Sequence, residues 1–327
     1  MKPSPAMILR ICFLLLMATV GYGLVNNLPD IWRPLVNNTT PVRSSDQPLR
    51  FVIVAPQGGH PFWEEVRKGA QEAGDRLRIN VEFTGARRAS VEEQVRLLDM
   101  ATAAQVDAII TQGVADQRVI DAVERAMNRG IHVITVDVDL PPEHPAESRV
   151  AFVGSDSMEA AKKLAEVLVQ RTGGKAVVGI VRGNLGPEDE DLRVRGLREA
   201  LADYPEIKIA AVESSDMNRS VAGQKALKIL MEHPDVDVIC GTTALDAVGA
   251  AQTVSRYGRT VTVFGWGDVA DAGDYLSRGG IAAAVHEEPG LMGQYAVELL
   301  DDYLRRDIRP PGFTPTPYYI RSGGDRR

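Results

Sequence analysis

Three side chains that follow the first apolar run of the folded part of this sequence have the right types to hold a small polar molecule. They are His60, Phe62 and Trp63, in the stretch Gly58-Gly59-His60-Pro61-Phe62-Trp63. An imidazole can donate and accept hydrogen bonds. Aromatic rings offer flat apolar faces to the C–H groups of a ligand, with polar partners placed around the rim. Phe62 also opens an apolar stripe with Val66, Ala70, Ala73 and Leu77 at helical spacing, so a core position competes with a ligand position for that ring. Trp63 falls off the stripe and toward the ligand side. For His60 the competing role is a helix cap.

Covalent and cofactor chemistry find little support. No Gly-x-Gly-x-x-Gly follows the first strand, and Gly173-Gly174-Lys175 lacks both the earlier glycine and the following hydroxyl of a phosphate loop. The five histidines, His60, His132, His144, His233 and His286, show no metal-ligand spacing. There is no Gly-x-Ser-x-Gly elbow. The expectation is a binding protein and not an enzyme, with no cofactor and no metal.

A loop of this kind needs a scaffold to aim it. Phe51-Val52-Ile53-Val54-Ala55 is an unbroken, β-branched run, the pattern of a strand covered on both faces. Pro56 stops it, Gly58 and Gly59 permit a sharp turn, and Pro61 suits the first turn of a helix. The same alternation continues along the chain. Strands are expected at 80–84, 107–111, 131–137 and 150–153, then at 176–181, 207–212, 236–240, 260–266 and 281–287, with a last one at 317–320. Helices are expected between them, one opened by the Ser90-x-x-Glu93 capping pattern and others at 157–171, 191–202, 221–231, 244–256, 269–278 and 290–305. Strict alternation predicts an α/β protein with two doubly wound parallel sheets, whose loops at the carboxyl ends of strands line a ligand crevice. The run Glu188-Asp189-Glu190-Asp191 reads as an exposed helix start.

The 327 residues carry a net charge of −7, with 44% apolar and 25% charged residues. That excludes a broad attraction to nucleic acid. Lys2 and Arg10 precede the uncharged run 11–25. This run is short of the roughly 20 residues of a full span. Residues 1–28 therefore read either as a cleaved signal peptide or, if the apolar zone continues to Leu28 with Trp32 and Arg33 at the interface, as an uncleaved anchor. Either way the bulk of the chain is expected outside the cytoplasm, in the periplasm or on the outer face of the membrane. Residues 29–48 read as a linker. Cys240 is the one cysteine beyond the leader, so no internal disulfide is expected.

Six stretches in register resemble the ribose-type periplasmic sugar-binding proteins, whose fold also serves as effector domain in the lac-repressor family. They are FVIVAPQGGHPFWEEVRKGAQEA, DAIITQGVADQRVIDAVERAMNRGIHVITVDVD, VGSDSMEAAK, LRVRGLREAL, HPDVDVICGTTALDAVGAAQ and VTVFGWGDVADAGDYLSRGGIAAAVHEEPGLMGQYAVELL. The resemblance implies two lobes joined by three crossing strands, closing on a ligand like a clamp. One lobe would hold 49–153 plus 288–316, the other 154–287 plus 317–327. It also places Asp137 as a sugar-binding carboxylate, against a turn-initiating aspartate, and Arg193 as the second lobe's arginine. Met217, Thr243, Trp266, Asp268 and Glu287 fall at or beside further ligand positions, beside His60, Phe62 and Trp63.

Several of these depart from the family pattern. Val138 stands where an arginine is frequent, Thr243 where asparagine is, Trp266 for phenylalanine and Met217 for an aromatic. Gly267 takes an aspartate's place with Asp268 one further on, and Glu287 replaces glutamine. The pocket gains acid and loses a cation, which leaves a pentose, a hexose, a polyol or a cationic small molecule as the ligand. The expected function is capture of a sugar-like solute for ABC-type uptake. The alternative is a membrane-anchored sensor that signals to a histidine kinase. A repressor-type regulator would need a helix-turn-helix ahead of Leu49, where this chain has a leader and a linker. The expected partners are thus the small molecule and a membrane permease or kinase, with the protein itself a monomer.

Overall fold

The computed structural model describes residues 48–141, 148–183, 191–258, 260–267 and 270–323. The leader at 1–28, nearly all of the linker and Asp268 lie outside them. The chain begins with β1 (Arg50–Ala55), α1 (Pro61–Leu77), β2 (Asn80–Gly85), α2 (Val91–Ala103), β3 (Ala108–Thr111), α3 (Gln117–Asn128), β4 (His132–Val136) and β5 (Ala151–Gly154). It continues with α4 (Ser157–Thr172), β6 (Ala176–Arg182), α5 (Leu192–Leu201), β7 (Ile207–Ser214), α6 (Arg219–Glu232), β8 (Val238–Gly241), α7 (Ala244–Tyr257), β9 (Thr262–Trp266), α8 (Ala270–Ser277) and β10 (Ala283–Glu287). It ends with α9 (Pro289–Arg306), β11 (Phe313–Pro315) and β12 (Tyr318–Ser322).

The strands form two six-stranded sheets, ordered β11-β5-β4-β3-β1-β2 and β12-β10-β9-β8-β6-β7. Each sheet is the centre of one lobe. The central strands are apolar along their length because helices cover both faces: β1 is buried from Phe51 to Ala55, and β3 and β8 are buried throughout. The helices are started by side chains that accept otherwise unpaired backbone N–H groups, among them Ser90, Asp116, Asp156, Asp191, Asn218 and Thr243.

The chain passes between the sheets three times, from β5 to α4, from β10 to α9, and from β11 to β12. The third passage explains two features that periodicity does not predict. β11 is a three-residue strand, too short to leave a pattern, and it runs parallel to β5. Only Thr316 and Pro317 separate it from β12, so the chain enters the second sheet from the carboxyl ends of its strands. β12 must then run antiparallel, with Tyr318 opposite Glu287. Thr316 is tied back to the first passage, its N–H to Gly154 O at 2.9 Å and its hydroxyl to Ser155 Oγ at 3.2 Å.

In the first lobe α1 and α9 pack at backbone contact. A Cβ on Gly69 would lie 1.9 Å from Gly290 O, and one on Gly293 would lie 2.0 Å from Val66 O. Both carbonyls belong to helix backbone and cannot swing away. Gly69→Ala is therefore expected to destabilise the fold by about 1–3 kcal/mol, the usual cost of forced overpacking, read as a lowered urea midpoint with an unchanged slope. An unchanged midpoint would contradict this packing.

Candidate functional site

The site is built where the carboxyl ends of the two sets of strands meet. Asp137 follows β4 in a left-handed conformation, φ 70°. Its surroundings hold it there. Its N–H donates to Val153 O at 3.1 Å, and Gly113 N–H donates to Val138 O at 2.7 Å. A Cβ on Gly113 would fall 2.3 Å from the Asp139 carbonyl carbon, so only glycine allows this approach. Asp139 itself turns away from Asp137, bonded by Thr135 Oγ1 at 2.7 Å and by the guanidinium of Arg149. Gln112, just after β3, donates from Nε2 to Asp137 Oδ2 at 2.6 Å.

Arg193 comes from the other lobe, in the first turn of α5. Asp191 caps that helix, its Oδ1 accepting from the N–H groups of Arg193 at 3.1 Å and Val194 at 3.3 Å. Arg193 Nη2 donates to Asp137 Oδ1 at 3.0 Å and to Glu287 Oε2 at 2.8 Å, and Nη1 donates to Thr242 O at 2.9 Å. The guanidinium carbon lies 4.8 Å from the centre of the Trp266 ring, a cation–π contact. All three charged side chains are buried, at 6%, 10% and 1% exposure for Arg193, Asp137 and Glu287. Burial pushes the Asp137 carboxyl above its usual range, against the downward pull of Arg193 and Gln112.

His60 caps α1. Its Nδ1 accepts from Phe62 N–H at 3.3 Å, which puts the imidazole proton on Nε2. Nε2 is buried and has no partner among the described residues, as is the case for Nε1 of Trp63 and of Trp266. Phe62 and Trp63 meet edge to face at 5.7 Å. Both belong to the apolar cluster of the first lobe with Val66, Met292 and Ala296, and Trp63 is fully buried in spite of lying off the helical stripe. Met217 is buried in a left-handed conformation, φ 56°, directly after Asp216 at φ 51°. Thr243 caps α7 in a reciprocal box with Asp246.

The structure thus joins Asp137, Arg193, Trp266 and Glu287 by direct contact. It groups His60, Phe62 and Trp63 at the start of α1, and sets Met217 and Thr243 on neighbouring loops of the second lobe. Asp268 is outside the described residues. Four participants escaped the sequence reading. Gln112 and Thr242 are ordinary residues at strand ends and leave no signal. Asp191 was expected at an exposed helix start, but it is 3% exposed, enclosed among Arg193, Val194 and Asp246 of its own lobe. Asp246 had a readable signal, the Thr243-x-x-Asp246 spacing of a capping box. Among the described residues no group of histidine, cysteine, aspartate or glutamate could hold a metal ion. No helix among them is long and apolar enough to cross a membrane.

The comparisons with known proteins bear on the family and the fold. Residues 51–307 match the periplasmic binding protein domain family, and the chain belongs to it. It is similar to the D-allose-binding periplasmic protein of Escherichia coli, at 25% identity over 77% of this chain and 83% of the relative. It is similar to a ribose import binding protein of Bacillus subtilis, at 24% identity over 75% of this chain and 78% of the relative. Among solved structures, the glucose-galactose binding protein GanP of Geobacillus stearothermophilus is 35% identical with a TM-score of 0.80, covering 85% of this chain and 99% of that one. The fold is the two-lobed type I arrangement of periplasmic binding proteins, and the chain is a binding protein, not an enzyme.

Burial lowers the His60 pKa from 6.5 to about 4. A base depressed in the folded state contributes stability above its unfolded pKa and loses it as pH falls from 6.5 toward 4. His60 is therefore expected to cost up to about 3 kcal/mol of stability on acidification to pH 4, at 1.36 kcal/mol per unit. His60→Gln should remove that part of the acid sensitivity. Denaturant melts of both proteins from pH 7 to pH 4 check it, and parallel curves would contradict it.

Proposed function

We propose that this protein captures a monosaccharide or sugar alcohol between its lobes outside the cytoplasm and delivers it to an ABC-type importer. The observation that carries the reading is the Arg193 guanidinium, which reaches from the second lobe to Asp137 of the first in a buried position flanked by Trp266. Hydroxyl groups can both donate and accept. They would donate to the carboxylates of Asp137 and Glu287 and accept from Arg193, from His60 Nε2–H and from the indole N–H groups. A molecule offering only donors or only acceptors would leave half of these groups unmet at a cost of about 1–3 kcal/mol each. The names of the similar proteins point the same way, since those proteins are described as binding D-allose, ribose, glucose and galactose.

The lobes of this reading are 49–153 with 288–316, and 154–287 with 317–327. Residues 1–28 would direct export, as a signal peptide or as a retained anchor, which fits a family of extracytoplasmic proteins.

Isothermal calorimetry with D-galactose, D-glucose, D-allose, D-ribose and xylitol is the test. At least one is expected to bind. Arg193→Ala should weaken that binding by about 100-fold or more, because it leaves buried carboxylates without their cation. Silence of the wild-type protein across this panel would overturn the reading.

A further inference from the structure

We propose that Asp246 is a positioning residue of the sugar site, holding Arg193 through one peptide group and the loop that carries Met217 through Ser215. Asp246 lies in the first turn of α7 and is fully buried. Its Oδ2 accepts from Thr243 N–H at 3.0 Å and from Thr243 Oγ1 at 2.7 Å. The N–H of Thr243 and the C=O of Thr242 belong to one peptide unit, and that C=O accepts from Arg193 Nη1 at 2.9 Å. Carboxylate, amide and guanidinium thus form one line of hydrogen bonds. A negative charge on the donor side of an amide strengthens its carbonyl as an acceptor, so each bond supports the next.

The other oxygen acts on a second part of the site. Oδ1 accepts from Ser215 Oγ at 2.5 Å. Ser215 leads directly into Asp216 and Met217, at φ 51° and 56°. The left-handed conformation costs roughly 1–2 kcal/mol per non-glycine residue, so two in a row need an outside hold. The space around the carboxylate is closed: a Cβ on Gly183 would meet Thr243 Cγ2 at 2.6 Å and Asp246 Oδ2 at 2.9 Å. A cap alone does not need this burial. In the Ser90 cap of α2 the equivalent acid, Glu93, keeps 30% of its side chain exposed.

The charge on Asp246 separates this role from capping. Burial pushes its carboxyl up to about 7, and the neighbouring charge of Asp191 adds to the shift. The titratable and charged groups around it are Asp191 at the start of α5, Cys240 on β8, and Arg182 at the end of β6, which acts on Asp191. An acid raised in the folded state favours the protonated fold, so its ionisation costs stability as pH rises from 3.8 toward 7. The ionised form is nevertheless the one that accepts all three donors and strengthens the acceptor of Arg193. Stability and sugar affinity therefore respond in opposite directions to the charge of one side chain.

The inference rests on the sugar reading above, and the test keeps the two apart. Calorimetry with D-galactose and D-allose on the wild-type chain and Asp246→Asn is expected to show about 10-fold weaker binding by the variant near pH 8, the equivalent of one charge-assisted hydrogen bond. The melting temperature of the variant should stay within a few degrees of wild type, and the affinity ratio should shrink toward one near pH 5.5, where wild-type Asp246 is protonated. Independently of any variant, carbon-13 NMR of the Asp246 carboxyl in the wild-type chain should show its midpoint lowered by about one unit at saturating sugar, as reciprocal linkage requires for a tenfold effect. A variant that binds as wild type does, a ratio that does not change with pH, or a midpoint unmoved by sugar would overturn the role. If neither sugar binds the wild-type chain, the same comparison is made with whichever of D-glucose, D-ribose or xylitol binds, and silence across all five sinks the sugar reading and this role with it.

Discussion

A single guanidinium group organises the interior between the lobes. Arg193 meets Asp137 across 56 residues of sequence and Glu287 across 94. Two carboxylates share its Nη2, while Nη1 is taken by a main-chain carbonyl and an indole ring lies close by. Buried charges are tolerated only when they are paired and hydrogen-bonded. The pairing here requires both lobes together, because Asp137 stands at the end of a first-sheet strand and Arg193 at the start of a second-sheet helix. Removing Arg193 would leave Asp137 without its cation, whereas without Asp137 the guanidinium would keep Glu287 within its own lobe.

The rest of the fold can be seen as support for that arrangement. In each sheet the parallel strands deliver their carboxyl ends to one side, so short loops bring many side chains to the same gap. Each ion is then fixed by local means: Asp137 by the glycine-permitted approach at Gly113 and the Asp139–Arg149 pair, Arg193 by the Asp191 cap, and Glu287 by its place at the end of β10 beside Tyr318. The three passages between sheets run next to this region, and the Ser155–Thr316 contact ties two of them together. The same segments thus connect the two sheets and border the proposed sugar site.

The fold was largely legible in the sequence, since burial on both faces writes a strand as an apolar run and burial on one face writes a helix as a stripe. The exception, β11, has three residues, Phe313, Thr314 and Pro315, and no length in which a period can show. Its presence sends β12 in the opposite direction, a consequence of where the chain crosses and not of local propensity. Beyond His60, Phe62 and Trp63, the candidate site residues were legible only through resemblance, because a carboxylate at a strand end looks the same whether it starts a turn or meets a partner from another lobe. Asp191 shows the limit most plainly. An acidic run ahead of a helix has the composition of a solvated helix start, and only tertiary packing turns that aspartate into a buried one. Trp63 shows another: it lies off the helical stripe yet is fully enclosed, because α9 covers part of α1 that periodicity assigns to the outside.

The central claim is that Asp137 and Arg193 act on a bound sugar as one unit across the gap. A double-mutant cycle on D-galactose affinity tests it most directly, using Asp137→Asn, Arg193→Met and the two combined. Coupled residues in contact are expected to depart from additivity by about 1 kcal/mol or more, so the double variant should bind no more weakly than the worse single one. Losses that multiply would show two independent contacts, and affinities untouched by all three variants would place the sugar elsewhere; either result would contradict the account.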